Sequence, residues 1–310
     1  MDTLAVVVEA PGRVALRRLD MAPLEADDLV VAVDFSGISM GTEKLMFNGS
    51  MPAFPGMGYP LVPGYEAVGR VVDAGPLGGS RIGEQVFVPG SSKFIGARGL
   101  FGGSASTLVT GSARILAIPD GMGESAVLLS LAATAHHALV GGALPDLIIG
   151  HGVLGRLLAR MSLANGAVPT VWEINETRMA GGDGYAVTTP DADDRRDYLS
   201  IYDASGDSSI LDAAIARMGR GGEIVLAGFY SDPLSFHFAP AFRREARFRI
   251  AAEFLPEDLA AVIAMVNAGR LSLDGLVTNR VPASDAATAY PQAFSDPACL
   301  KMVFDWRDAA

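Results

Sequence analysis

The stretch Leu147-Ile148-Ile149-Gly150-His151-Gly152-Val153-Leu154-Gly155 decides the fold of this chain, because an apolar run gives way there to a glycine pattern and a helix. A G-x-G-x-x-G pattern alone is weak evidence in a chain with 36 glycines among 310 residues. Its surroundings strengthen it, since 146–149 is typical of a buried parallel strand and apolar residues then recur at helical spacing. A second apolar strand, 170–174, follows the helix stop at Asn165-Gly166. This order predicts a βαβ unit that binds a dinucleotide.

Each residue type in this unit has a physical role, although an ordinary strand–helix turn is the alternative interpretation. Gly150 permits the tight turn, Gly152 lets the backbone approach a pyrophosphate, and Gly155 lets the helix lie close to the sheet. The helix N-terminus then presents free N–H groups to the phosphates. Glu173, 21 positions after Gly152, could accept hydrogen bonds from the adenosine ribose, which favours NAD because a carboxylate repels the 2′-phosphate of NADP. The downstream arginines are interpreted as surface charges: Arg178, Arg195 and Arg196.

Length and composition narrow the function classes. A chain of 310 residues predicts two domains with a sizeable core. The formal net charge of −11 disfavours nucleic-acid partners and direct attraction to anionic lipid. No apolar run approaches the roughly 20 residues of a membrane span, and 1–8 begins as a strand without a basic leader, so a cytoplasmic location is expected. The single Cys299 excludes an intrachain disulfide and a cysteine-based metal cluster, and four histidines leave little for a multi-histidine site.

The predicted secondary structure changes near residue 117, from mainly β to α/β. Up to about 115 the pattern predicts mainly β structure, with a long connection over 41–63 and a glycine-rich loop over 91–106 that is expected to be mobile. From about 117 the pattern is α/β, and the crossover between 185–189 and 199–203 is expected to be trimmed to a loop. Helices are predicted over 124–139, 209–218, 256–268 and 285–293, and further strands over 199–203, 223–229, 248–254 and 301–305.

Two motifs in the N-terminal half point to a known family. Gly64-Tyr65-Glu66-Ala67-Val68-Gly69 looks like a G-H-E-x-x-G signature, and Ser36-Gly37-Ile38-Ser39-Met40-Gly41-Thr42-Glu43 is similar to a segment that carries a zinc ligand. With the segments 131–139, 203–206 and 221–228, they resemble the medium-chain dehydrogenase/reductase superfamily. The resemblance implies an α/β chain in two domains. A β-rich GroES-like catalytic domain would comprise 1–116 and 269–310, and a Rossmann domain with a doubly wound parallel sheet would comprise 117–268.

Departures from the family pattern bear on the chemistry. Met40 stands where zinc members have a cysteine, Tyr65 where they have the histidine of G-H-E, and Ser130 where they have a further cysteine. Zinc needs three or four nitrogen, sulfur or oxygen ligands, and these side chains replace that set poorly. No metal is therefore expected. The residues expected to bind the dinucleotide, from the motif and the resemblance, are Gly150, His151, Gly152, Val153, Leu154, Gly155, Glu173, Ser205 and Gly228.

The 36–43 segment, an aromatic-rich loop and the shortened Rossmann half are similar to one branch of the superfamily, which acts on bacteriochlorophyllides in bacteriochlorophyll biosynthesis. The resemblance implies NAD-dependent oxidation of the 3-(1-hydroxyethyl) group of a tetrapyrrole substrate, a bacteriochlorophyllide or chlorophyllide, to 3-acetyl. Two alternatives stay open. One is a zinc-free quinone or enoyl reductase, whose usual NADPH is disfavoured by Glu173, and the other is a non-catalytic nucleotide-binding protein. The oligomeric state is open, with a homodimer as one possibility.

Catalytic candidates flank the positions of the lost zinc ligands. Tyr65 could hold the reacting oxygen, Thr42 could relay a proton, and Glu43 and Glu66 are carboxylates whose pKa would rise if they were buried. His137 lies on the helix that the family places near the cofactor. Each residue has a structural alternative, such as packing for Tyr65, a structural acceptor for Glu66 and a satisfied helix histidine for His137.

Substrate contacts are expected from the two long loops. Met and aromatic side chains suit a large flat ligand, although they could equally cover the core beneath a loop. Lys93 and Arg98 could pair with a propionate carboxylate, with solvated loop charges as the alternative. The apolar candidates are Met46, Phe47, Phe54, Met57 and Tyr59.

Overall fold

A computed structural model describes residues 1–53 and 55–309, and the chain divides into two compact units. Unit 1 comprises Met1–Ser130 and Asp274–Ala310, and unit 2 comprises Leu131–Leu273. The boundaries expected from the sequence, at 116/117 and 268/269, stay a prediction. Among the described residues, no helix combines the length and the apolar character needed to cross a membrane.

Unit 1 is built from two β-sheets over a valine-rich core. Its strands are β1 (Asp2–Ala10), β2 (Arg13–Asp20), β3 (Asp28–Gly37), β4 (Leu61–Val62), β5 (Ala67–Ala74), β6 (Gln85–Val88), β7 (Arg98–Gly99), β8 (Thr107–Gly111), β9 (Leu116–Ala117), β16 (Asn279–Pro282) and β17 (Met302–Asp305). One sheet has the order β2-β1-β4-β7. The other has the order β16-β17-β3-β5-β6-β9, with β8 paired to β3. Gly69 of β5 has no room for a side chain, because a Cβ there would collide with the carbonyl of Ala32 in β3.

Two helices belong to unit 1, α1 (Thr42–Asn48) and α7 (Ala286–Ser295). Helix α1 lies inside the 41–63 segment that the sequence interpreted as one long connection. It is short, and its local signals are a glutamate in the first turn and Gly49 in the left-handed conformation at its end. The predicted 285–293 helix is confirmed as α7, and the predicted 301–305 strand as β17.

Unit 2 is a six-stranded sheet in the order β12-β11-β10-β13-β14-β15, with every neighbouring pair parallel. This is the strand order of a Rossmann fold, so the predicted fold class is confirmed. The strands are β10 (Leu147–Ile149), β11 (Thr170–Trp172), β12 (Ala186–Thr188), β13 (Tyr198–Asp203), β14 (Met218–Leu226) and β15 (Arg247–Ile250). The helices are α2 (Leu129–Leu139), which begins at the unit boundary, α3 (Val153–Ala164), α4 (Leu211–Arg217), α5 (Phe238–Arg244) and α6 (Pro256–Asn267).

Two crossovers of this sheet lack an α-helix. The β12–β13 connection contains only the 3₁₀ turn Pro190–Ala192, which confirms the predicted trimming. The β11–β12 connection contains only the 3₁₀ turn Glu176–Arg178, in agreement with the short segment that the sequence shows after Glu173. Asp193 ties the first of these connections to the sheet, since its carboxylate accepts hydrogen bonds from Trp172 Nε1 and the Tyr198 hydroxyl, both at 2.7 Å.

The predicted 124–139 helix is divided in the structure. Residues Gly123–Leu128 form a 3₁₀ helix, and the α-helical part begins at Leu129. The predicted 209–218 helix is shorter, because β14 begins at Met218. Both differences lie at element ends, where propensity discriminates least.

Candidate active site

The glycine turn between β10 and α3 has the shape of a phosphate cradle. Gly150 has a φ of +95°, a conformation that favours glycine. A Cβ at Gly155 would collide with the carbonyl oxygen of Gly150, so only glycine lets α3 start this close to the strand. A Cβ at Gly152 would meet open space, and no side chain caps the helix N-terminus. The first turn, with Val153 and Leu154, therefore offers backbone N–H groups to an anion, which is the fit expected for a dinucleotide pyrophosphate.

Glu173 closes this cradle at the end of β11. Its Oε2 accepts the backbone N–H of His151 at 3.0 Å, and its Oε1 accepts those of Ile174 and Asn175 at 2.9 and 2.8 Å. The carboxylate is thus held in place by backbone N–H donors beside the glycine turn. We call Gly150–Gly155 together with Glu173 the dinucleotide cradle.

The side chains of His151 and Arg156 hold the segment that replaces the missing β11–β12 helix. The His151 ring is buried, with Nδ1 2.6 Å from the carbonyl oxygen of Arg178 and Nε2 2.8 Å from the Tyr185 hydroxyl. The Arg156 guanidinium donates to the carbonyls of His151 at 3.0 Å, Arg178 at 3.0 Å and Ala180 at 2.7 Å. Sequence reasoning missed Arg156, whose only signal was a long cation directly after the third glycine of the motif.

The other predicted cofactor residues lie at the ends of β13 and β14. Asp203 at the end of β13 is buried, and its Oδ1 accepts the Ser205 N–H at 2.8 Å and the Ser205 hydroxyl at 2.6 Å. Its Oδ2 accepts the Tyr230 hydroxyl at 2.6 Å. Burial raises the pKa of Asp203, against the lowering effect of these hydrogen bonds. A Cβ at Gly228 would lie 3.0 Å from the N of Gly206, so the two strand ends run in close contact.

Two further hydroxyls bond to Tyr65, which the sequence placed at the position of one lost metal ligand. The Ser39 Oγ lies 2.6 Å from the Tyr65 hydroxyl, and Thr42 also hydrogen-bonds to the Tyr65 oxygen. Ser39 is buried, whereas Tyr65 and Thr42 are partly exposed. Burial raises the pKa of Tyr65, and the charges of Glu66 and Glu43 raise it further, so Tyr65 stays protonated near neutral pH. We call Ser39, Thr42 and Tyr65 the hydroxyl cluster.

Ser39, rather than Met40, faces Tyr65. Met40, which the sequence placed at the lost cysteine position, is partly buried and packs against the apolar core of unit 1, and its place in the family pattern stays a prediction. The donors brought together here are three hydroxyls, a set that does not fit the nitrogen and thiolate ligands of catalytic zinc. Among the residues that the structure describes, only three acids form a potential metal-binding group of three or more: the exposed Glu25 and Asp27 and the buried Asp28. Lys93 lies 3.0 Å from Glu25 and 2.9 Å from Asp28 in this group.

Glu66 is held in a buried ion pair beneath this cluster. The Lys301 Nζ lies 2.9 and 2.7 Å from the two carboxylate oxygens of Glu66 and donates to the carbonyl of Ile38 at 3.1 Å. Both charged side chains are fully buried. Burial raises the pKa of Glu66, and Lys301 opposes that shift. Since both oxygens of Glu66 bind Lys301, the arrangement matches the structural alternative for this residue.

Glu43 binds the backbone of Ser39, the residue after Ile38, whose carbonyl Lys301 contacts. Its Oε1 accepts the Ser39 N–H at 3.0 Å, and Tyr290 of α7 donates its hydroxyl to Oε2. The Glu43 side chain is 1 % exposed, and this burial raises its pKa to about 7. Glu43 and the Glu66–Lys301 pair thus fix the backbone at Ile38 and Ser39, which carries the Ser39 hydroxyl against Tyr65.

His137 lies in unit 2 and forms part of a different cluster. The Nδ1 atoms of His136 and His137 lie 2.7 and 2.8 Å from the two oxygens of Asp258, which also accepts the Leu255 N–H at 2.8 Å. The Asp258 carboxylate is therefore shared between α2 and the start of α6. This matches the alternative of a satisfied helix histidine, while a catalytic role for His137 stays a prediction.

The apolar substrate candidates split between core and surface. Met46 is fully buried, and Phe47 packs its ring 5.9 Å from Tyr290 and 5.6 Å from Phe294. Tyr59 donates its hydroxyl to the carbonyl of Met46 at 2.5 Å. These contacts match the alternative that the loop covers the core of unit 1.

The remaining substrate candidates lie nearer the surface. Met57 is partly exposed, and its carbonyl accepts a hydrogen bond from Arg98 at 3.3 Å. Lys93 is engaged by Asp28 and Glu25, and these hydrogen bonds raise its pKa. Phe54 lies outside the described residues.

Together the two-sheet unit, the Rossmann unit and the glycine turn with its acid define a dehydrogenase of the medium-chain class. No protein-family model matches the chain. The acetophenone reductase of Geotrichum candidum, solved in complex with NAD, shares the fold with a TM-score of 0.84 and 20% identity, covering 99% of this chain and 98% of that one.

Two curated relatives give the particular family. The chain is 54% identical over 313 residues to the 2-desacetyl-2-hydroxyethyl bacteriochlorophyllide A dehydrogenase of Rhodobacter capsulatus. It is 52% identical over 318 residues to the protein of that name from Cereibacter sphaeroides, and both alignments cover 100% of each chain. The chain therefore belongs to the family of 2-desacetyl-2-hydroxyethyl bacteriochlorophyllide A dehydrogenases.

Proposed function

We propose that this protein oxidises the hydroxyethyl substituent of a bacteriochlorophyllide to an acetyl group, with NAD as the electron acceptor and without zinc. The substituent is numbered 2 in the relatives' names and 3 in the tetrapyrrole numbering used above. Identity above 50% along the whole chain to two dehydrogenases of this substrate carries the proposal. It also weighs against a quinone reductase and against a non-catalytic nucleotide-binding protein.

NAD is the proposed acceptor because the cradle ends in the Glu173 carboxylate, and three described arginines downstream of the glycine turn bind protein groups. Glu173 is held as an acceptor, and the Arg156 guanidinium is committed to backbone carbonyls. Arg195 pairs with Asp197 at 2.7 Å, and Arg196 donates to the carbonyl of Asp193 at 3.0 Å. A 2′-phosphate would meet repulsion from the Glu173 carboxylate. When bound, the nicotinamide dinucleotide supplies the two-electron acceptor for the carbon–hydrogen bond that breaks.

The hydroxyl cluster handles the substrate oxygen. Tyr65 stays protonated because its pKa is raised, so its O–H can donate to the oxygen as that atom loses its proton and becomes a carbonyl. Ser39 and Thr42 can donate to the Tyr65 oxygen, which leaves the Tyr65 proton free for the substrate. The proton lost by the alcohol passes to the Thr42 oxygen while Thr42 releases its own hydroxyl proton to solvent, and in this step Ser39 alone donates to the Tyr65 oxygen; Thr42, like Tyr65, is partly exposed. Glu43 and Glu66 act in this scheme by positioning Ser39.

The test is turnover by the purified wild-type protein. It is incubated with 3-hydroxyethyl bacteriochlorophyllide a and either NAD or NADP, and the acetyl product is followed by its red-shifted absorption. We expect turnover with NAD, slower turnover with NADP, and no stoichiometric zinc by metal analysis. Absence of turnover with both nucleotides would overturn the substrate assignment, and stoichiometric zinc that activity requires would overturn the metal-free mechanism.

The preference for NAD over NADP is tested by a substitution at Glu173. Glu173→Ala should lower the NAD over NADP preference roughly ten-fold or more, because it removes the acceptor for the ribose and the repulsion of the phosphate. Unchanged preference would remove Glu173 from the ribose site. A cytoplasmic location and a homodimer stay predictions, to be tested by cell fractionation and by light scattering of the purified protein.

A further inference from the structure

The glycine loop, residues 90–103, is packed on its own backbone. A Cβ at Gly90 would collide with the carbonyl of Phe101, and a Cβ at Gly99 or Gly102 would collide with the carbonyl of Ser91. The Ser91 N–H donates to the Phe101 carbonyl at 3.0 Å across the same contact. These glycines serve close backbone contact, and the mobility that the sequence predicted for 91–106 stays a prediction.

The glycine loop is also joined to the chain that leads into Tyr65. Leu100 donates its N–H to the carbonyl of Val62 at 3.0 Å, and Gly103 donates to that of Gly64 at 2.7 Å. A Cβ at Gly103 would lie only 2.8 Å from the Gly64 oxygen. Between these two anchors, Phe101 is set edge-on against Tyr65, with ring centroids 5.5 Å apart and planes at 86°. The position of Phe101 relative to the Tyr65 ring is therefore fixed by backbone geometry.

The bonding within the substrate implies that its ring system lies close to Tyr65 and Phe101 when the hydroxyl is bound. The hydroxyl to be oxidised sits on a carbon bonded directly to the macrocycle, so an oxygen held by the Tyr65 hydroxyl brings the edge of a large apolar ring within a few bond lengths of it. Phe101 is partly exposed, whereas its neighbour Leu100 is buried. A flat, partly exposed aromatic ring beside the oxygen-binding group is suited to contact a flat apolar ligand.

Resting on the proposed function, we infer that Phe101 is a specificity-determining residue that contacts the macrocycle beside the reacting hydroxyethyl group. Of the apolar residues that the sequence favoured for this role, Met46 is fully buried and Phe47 packs against Tyr290 and Phe294, whereas Met57 and Tyr59 are partly exposed, as Phe101 is. Phe101 had no sequence signal of its own, since one phenylalanine among glycines matches no binding motif.

The experiment compares Phe101→Ala, Phe101→Leu and Phe101→Tyr in steady-state kinetics and in direct binding of 3-hydroxyethyl bacteriochlorophyllide a. We expect Phe101→Ala to raise KM and Kd for the macrocycle about ten-fold or more, Phe101→Leu to have a smaller effect, and Phe101→Tyr to stay within about two-fold of wild type. The KM for NAD should stay unchanged in all three. Phe238→Ala, which removes an exposed ring that is 72% accessible in unit 2, is the matched control and should leave the macrocycle KM unchanged.

Several outcomes would overturn the inference. Unchanged macrocycle binding in Phe101→Ala, or equal weakening of macrocycle and NAD, would exclude a specific contact. If the alanine variant fails to fold, macrocycle binding by Phe101→Leu is compared with that by Phe101→Tyr. Equal macrocycle affinity of these two variants would exclude a contact that requires a flat ring. Failure of turnover by the wild type would overturn the proposed function, and macrocycle binding would still decide the role of Phe101. Absence of macrocycle binding by the wild type would overturn the inference as well.

Discussion

The dinucleotide cradle and the hydroxyl cluster are held in place by different kinds of bonds. The cradle is mainly backbone, with glycines that leave no room for a Cβ and N–H groups that hold Glu173. The hydroxyl cluster is held by buried side chains from distant parts of the chain, including Tyr290 and Lys301. A site built from backbone atoms is disrupted when a glycine in close contact gains a Cβ. A site built from buried side chains depends instead on their charge and protonation. The predictions below test that difference.

The largest effect is expected at a backbone contact of the cradle. Gly155→Ala should destabilise the protein by on the order of 5 kcal/mol, because its Cβ would collide with the Gly150 carbonyl and push α3 off the sheet. Gly152→Ala is the matched control, since its Cβ meets open space. It should leave the free energy of unfolding nearly unchanged while weakening NAD binding. Chemical denaturation and NAD titration measure both, and equal stability of the two variants would contradict the backbone account.

In the side-chain site, the largest effect is expected from breaking the buried ion pair. Lys301→Met leaves the Glu66 carboxylate buried without its cation, which should cost about 3–5 kcal/mol of stability. The double variant Glu66→Gln with Lys301→Met removes both charges and should recover much of that loss. Denaturation curves of the single and double variants measure this. A double variant no more stable than Lys301→Met would contradict the account of an uncompensated buried charge.

The free energy of unfolding should depend on pH because the pKa of the buried Glu43 is raised. Because burial raises the pKa of Glu43 from 4.5 to about 7, the folded state keeps a proton that the unfolded chain loses between these values. Stability therefore falls as pH rises through this window, by roughly 3 kcal/mol at most, and the loss is complete above it. Glu43→Gln should remove this slope. Unfolding free energies of both proteins at about pH 5 and about pH 8 test it, and parallel curves would exclude a raised pKa.

The smallest effects concern the chemistry of the hydroxyl cluster. Tyr65→Phe should lower kcat about 100-fold, because it removes a hydrogen-bond donor to the oxygen on which charge develops. Ser39→Ala keeps Tyr65 and should lower kcat about ten-fold. KM for NAD and the unfolding midpoint serve as controls and should stay near wild type. Activity of Tyr65→Phe close to wild type would remove Tyr65 from the reaction.

The same difference explains what sequence reasoning could reach. The cradle is local, so strand, glycines and acid could be recognised within 27 residues, from 147 to 173. The hydroxyl cluster depends on long-range contacts, such as Lys301 with Glu66, which are 235 positions apart. Spacing carries no information about such pairs, so Lys301 and Tyr290 were missed. The Ser39 hydroxyl was missed for the same reason, because only the fold shows that it lies against the Tyr65 hydroxyl.

The Arg156 guanidinium has a wider consequence for how this fold can be shortened. A crossover helix spreads the attachment of a chain segment over many weak apolar contacts, no one of which is essential. Here the segment after β11 is attached largely through one cation bonded to the carbonyls of Arg178 and Ala180, together with the His151 ring. The connection is therefore shorter than one with a helix, and fewer contacts attach it to the sheet. The helix-free crossover is therefore where a single substitution can undo an entire connection of the sheet.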